Sequence, residues 1–126
     1  MSEMKDLKIS RELLSEVLKL EVVKHSLFNK RNNTFNITYM QSEDSLKANW
    51  MPVNVYEFVF MCKKWAWKNY KILLISQYTG QCYINGDLSE LRLPYWENTK
   101  SYQVETSTEI GAIIKACEWI LNEVNK

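Results

Sequence analysis

The sequence predicts an α+β fold: a single domain, residues 1–126, in which helices pack on one face of an antiparallel sheet of four to five strands. Three observations carry this expectation. Stretches with apolar residues at helical spacing alternate with paired β-rich runs. The turns within those pairs are short, as hairpins require. A chain of 126 residues with 46% hydrophobic and 13% aromatic content suits one compact core. The expected order is α-ββ-α-ββ(β)-α, with the helices segregated to one side.

Ser10 is placed to cap a first helix that carries Leu13, Leu14, Val17 and Leu18 on one face. Glu21 would fall on that apolar stripe, so the helix should end near Lys19. "LEVVKHSLF" then reads as a strand, "NKRNN" as turn chemistry, and "TFNITYM" as a strand with Phe35, Ile37 and Tyr39 on one face. A polar loop, "QSEDSLKAN", leads to Met51-Pro52. Asn54 followed by Glu57 marks a helix start, and the helix should run to about Asn69. "YKILLISQY" and "QCYING" flank Thr79-Gly80 as a second hairpin. Pro94 makes Asp87 to Asn98 an edge or a loop, and "SYQVE" is one more strand. Thr106 with Glu109 fits a T-x-x-E capping box, opening a last helix that reaches about Val124.

The net charge of +1 argues against binding nucleic acid or membrane through bulk electrostatics. The charge is unevenly spread. Eight bases meet eight acids up to Glu57, four lysines and no acid lie between Phe58 and Gly86, and seven acids face four bases from Asp87 onward. No apolar run is long enough to cross a bilayer. Met1 to Lys8 has no apolar stretch, so no signal peptide is expected. Cys62, Cys82 and Cys117 form no C-x-x-C pair, which fits a reduced, cytoplasmic protein with thiols as small hydrophobes.

Sites for chemistry fail on inventory. Gly80, Gly86 and Gly111 are too few and too scattered to cradle a phosphate. One histidine, His25, and three dispersed cysteines give no metal-ligand spacing, so neither a metal nor a cofactor is expected. Cys62 and Cys117 fall on apolar helix faces, where a thiol is usually inert. His25, beside Lys24 in a strand, reads as a surface or edge residue. The acids at 43, 44, 87, 90 and 97 fall mostly in expected loops. Nothing in the sequence marks an enzyme.

The stretch "FMCKKWAWKNYK", Phe60 to Lys71, holds four lysines and four aromatics. At about 3.6 residues per turn, Val55, Phe58, Val59, Cys62, Trp65 and Ala66 fall on one side, expected to pack on the sheet. Tyr56, Phe60 and Trp67 cluster on the far side with Lys63 and Lys64 beside them. Two readings follow: the segment from Asp87 to Asn98 folds over this second face, or the face is an aromatic–lysine binding surface. In the last helix Trp119 lies across from the stripe Ile110, Ile113, Ile114, Cys117, Ile120, Leu121 and Val124, beside Ala112 and Ala116. It is placed either to dock a partner or to pack within the chain.

"VNVYEFVFMCKKWAW" and "TEIGAIIKACEWILNE" resemble short uncharacterised open reading frames of bacterial phages and prophages. In these an N-x-Y-E opening, with isoleucine or valine second, precedes C-K-x-W-A, and K-A-C-E-W followed by two aliphatic residues closes the chain. "ISRELLSEVL" is similar to their starts. The likeness covers roughly a third of the chain and carries across no catalytic residue. It implies a phage or mobile-element protein in the cytoplasm of a bacterial host, acting by stoichiometric binding to a host or phage protein. Inhibition of a defence system such as a CRISPR effector is the sharpest version. The expected partner-binding residues are Tyr56, Phe60, Lys63, Lys64, Trp67 and Trp119. The alternative is a small nucleic-acid binder using residues 56–71; a homodimer stays open.

Overall fold

The computed structural model describes residues 9–26, 29, 31–40, 48–85 and 101–125. It is α+β, with three helices and six strands in the order α1 (Arg11–Leu18), β1 (Glu21–His25), β2 (Thr34–Met40), β3 (Ala48–Asn54), α2 (Val55–Tyr70), β4 (Leu73–Gln77), β5 (Gln81–Asn85), β6 (Ser101–Glu105) and α3 (Glu109–Val124). The expected single sheet of four to five strands is not what forms. There are two antiparallel three-stranded sheets, β1-β2-β3 and β4-β5-β6, and the order among the described residues is α-βββ-α-βββ-α. The error starts at Ala48–Asn54, expected to be the end of a loop and a helix approach. Pro52 pairs opposite Asn36 in β3, and a proline is tolerated there because β3 is an edge strand whose outer side needs no donor.

Contacts divide the chain into two compact units, residues 1–61 and 62–126. In the first, Ser10 caps α1 as expected, its Oγ accepting from the Leu13 N–H at 3.1 Å. Leu13, Leu14 and Val17 are buried, and the helix stops at Lys19, which turns left-handed at φ 59°. The Val22 N–H then donates to Ser15 Oγ at 3.1 Å, fastening the start of β1 to α1. A register irregularity between Val22 and Lys24 leaves Val23 as the extra residue of a bulge. Because side chains alternate along a strand, the bulge turns His25 rather than Lys24 toward Phe35. The His25 ring meets Phe35 edge-on at 6.0 Å, and its Nε2–H donates to the Ile9 carbonyl at 2.8 Å. His25 is therefore on an edge strand, as expected, but half-buried and bonded rather than a plain surface residue. Phe35 in turn meets Phe58 of α2 edge-on at 6.0 Å.

Asn54 caps α2, its Oδ1 accepting from the N–H groups of Tyr56 at 2.9 Å and Glu57 at 3.2 Å. Val55, Phe58, Val59, Cys62, Trp65 and Ala66 are all buried, so the expected core stripe is correct residue by residue. The boundary between the two units falls inside this helix, between Met61 and Cys62. The helix ends at Lys71, left-handed at φ 56°. There the Lys71 N–H donates to the Trp67 carbonyl (2.9 Å) and the Ile72 N–H to the Ala66 carbonyl (3.2 Å).

In the second unit α3 lies against all three strands of the sheet β4-β5-β6. Leu74, Cys82, Ile84 and Val104 from the strands and Ile110, Ile113, Ile114, Cys117, Ile120 and Leu121 from α3 are buried. β4 and β5 form the expected hairpin, closed by a Gly80 N–H to Gln77 carbonyl bond of 3.0 Å with Gly80 at φ 103°. This is a turn followed by a left-handed residue, a common three-residue hairpin loop. The cap of α3 sits two residues later than expected. Thr108 accepts from the Gly111 N–H at 3.0 Å, while the Thr106 hydroxyl donates to the Thr108 carbonyl at 2.7 Å. With glycine three residues after the cap there is no reciprocal capping box. Glu109 instead accepts a 2.6 Å hydrogen bond from Ser76 Oγ of β4. The segment from Asp87 to Asn98, expected as an edge or loop, lies outside the described residues, as do the charged residues 1–8.

Candidate functional site

The second face of α2 carries three exposed rings. Tyr56, Phe60 and Trp67 are 54%, 62% and 52% exposed. Their positions step by four and then seven residues, so helical periodicity alone sets them in one row. Lys64 is exposed and Lys63 half-buried, and both fall within that row. The row closes at Lys71, whose Nζ lies 5.3 Å from the centre of the Trp67 ring. A lysine over a tryptophan face is an attractive contact at an exposed site. It occupies one face of the indole. The result is a strip of three large rings flanked by ammonium groups on one regular helix.

Trp119 stands apart from this strip. It is half-buried on α3, and Ala112 and Ala116, expected beside it on an outward face, are fully buried. The chain covers most of the circumference of α3, including the buried Glu123. Two further exposed aromatics escaped the sequence reading. Trp50 is 70% exposed on β3, and Tyr78 is 87% exposed at the tip of the β4–β5 hairpin. Trp50 was legible in principle: Met51 and Val53 alternate with Trp50 and Pro52, which marks a strand with an outward tryptophan.

The three cysteines are buried and unoxidised. Cys117 Sγ lies 3.9 Å from the Cys62 carbonyl, and hydrogen bonding with the Cys62 side chain together with burial drives the Cys117 thiol well above its ordinary range. Burial, with Cys117 beside it, pushes the Cys82 thiol up to about 12. These shifts favour the protonated thiol, the reverse of what a nucleophile requires. Among the described residues no group of three histidine, cysteine, aspartate or glutamate side chains is arranged to hold a metal ion. No described helix is long and apolar enough to cross a membrane.

No protein family, curated protein or solved structure matches the chain. The α2 strip sets large rings beside lysines. Large rings supply apolar area with few rotatable bonds, and lysines supply positive charge at the rim.

Proposed function

We propose that this chain is an interaction protein that binds a protein partner stoichiometrically through the outward face of α2, with Tyr56, Phe60 and Trp67 as anchors. The observation that carries the reading is the exposure of all three rings in one row of a well-capped helix. Exposed rings give up their contact with water on docking, and a contiguous apolar strip is uncommon on a surface without a binding role. Lys63, Lys64 and Lys71 favour a partner surface carrying carboxylates. Trp119, half-buried on α3, contributes at most through its exposed part. The likeness of the α2 and α3 sequences to phage-borne reading frames makes a bacterial defence nuclease the first partner to try, with the chain acting as its inhibitor in the cytoplasm.

A nucleic-acid role is the weaker reading, because Lys71 already occupies one face of the Trp67 ring on which a base would stack. The test is capture from bacterial lysate by the tagged chain, with and without nuclease treatment, using wild type, Phe60→Ala and Trp67→Ala. The expected result is a stoichiometric protein that survives nuclease and is lost in both variants while their melting temperatures stay within a few degrees of wild type. Capture that disappears with nuclease would transfer the strip to nucleic acid. Capture unchanged in both variants would remove the strip from the site.

A further inference from the structure

The two sheets have four edge strands among the described residues: β1, β3, β4 and β6. An unpaired edge is a template for another strand, and folded proteins guard such edges with charges, prolines or bulges. Three of the four are guarded. β1 carries the Val23 bulge together with Glu21 and Lys24, β3 carries Pro52, and β6 carries the exposed Glu105. β4, Leu73-Leu74-Ile75-Ser76-Gln77, has no charge, no proline and a regular register with β5 throughout. Its α3-facing side holds the buried Leu74 and the half-buried Ser76, the latter bonded to Glu109. Its other side shows Leu73 and Ile75, 52% and 42% exposed, where a guarded edge would show lysine or glutamate.

We propose that β4 is a self-association edge, through which two copies of this chain pair antiparallel about a two-fold axis to form a continuous six-stranded sheet. Charge and pattern favour a second copy as the occupant. Identical uncharged strands meet without repulsion. The nearest charge, Lys71, sits two residues before the strand, so antiparallel pairing sends the two lysines to opposite ends of the junction. A register centred on Ile75 places the two Ile75 side chains together. Tyr83, directly opposite Ile75 on β5, then extends an apolar row of tyrosine, isoleucine, isoleucine and tyrosine across the junction. Cross-strand rows of aromatic and β-branched residues are a main source of sheet stability. An isologous contact of this kind closes on itself and stops at two copies.

The edge is distinct from the α2 strip, so the two readings fail separately. The test is sedimentation velocity over a dilution series of the full chain, for wild type, Ile75→Lys and Trp67→Ala. Wild type is expected as a dimer that dissociates on dilution, Trp67→Ala as the same dimer, and Ile75→Lys as a monomer with unchanged circular dichroism. A wild type that is monomeric throughout, or a dimer unaffected by Ile75→Lys, overturns the proposal. Hydrogen exchange on the wild type needs no variant. The β4 amides should gain protection as concentration rises, and dimer formation that leaves them unchanged assigns the contact elsewhere and overturns the proposal equally.

Discussion

Gly80 combines two demands on one position. Its φ of 103° is one that side chains rarely adopt, and a Cβ there would run into the Thr106 carbonyl. Its own carbonyl accepts from the Thr106 N–H at 2.7 Å, so the turn cannot retreat without breaking the link between hairpin and β6. Gly80→Ala is therefore expected to cost about 1–3 kcal/mol from backbone strain, with the clash in addition, measured by urea unfolding. The thiols carry a pH dependence. Folded Cys82 keeps its proton up to about 12, whereas the unfolded thiol releases it near 9.0. The unfolded state thus binds fewer protons above pH 9, and stability falls as pH rises through that window. Unfolding midpoints across it should drop less steeply in Cys82→Ala than in wild type. At neutral pH, alkylation of the native protein should be slow at all three cysteines and fast once denaturant is added. Burial of Cys62 and Cys117 was legible from helical spacing. The inward turn of His25 was not, because a bulge shifts side-chain parity without leaving a mark in local composition.

At the scale of elements, the long helices and the β4–β5 hairpin were legible because each combines periodicity with a capping or turning residue. Ser10, Asn54 and Gly80 all act as their chemistry suggests. Asn54→Ala should lose both of its bonds to the first turn of α2 and cost roughly 1 kcal/mol in thermal or urea unfolding. β3 was hidden by its own edge position. Pro52 speaks against a strand in general and is harmless on an unpaired side, so local composition does not mark β3 as a strand. The α3 cap was misplaced because Thr106 and Thr108 both have the right side chain. Only the path of the chain past Gly80 decides which of them accepts from the helix.

The single sheet expected for the whole molecule failed because strand pairing over long separations is not written in local pattern. Without β3, β1 and β2 read as a bare hairpin, and nothing local separates that hairpin from the second one. The candidate strip was half legible: a helical wheel shows that α2 has two apolar sides, but not which of them the rest of the chain covers. That exposure is a property of the complete fold. The position of the boundary between units, inside α2 at Met61 and Cys62, bears on how this chain can be divided. Proteins are commonly split, nicked or spliced at exposed linkers between compact parts. Here the corresponding bond lies in a helix of 16 residues, and parting it leaves seven on one piece and nine on the other. Both are below the roughly 12–15 residues at which a helix holds alone in water. The two halves are consequently poor candidates for exchange by recombination, and a gene that carries one of them has reason to carry both.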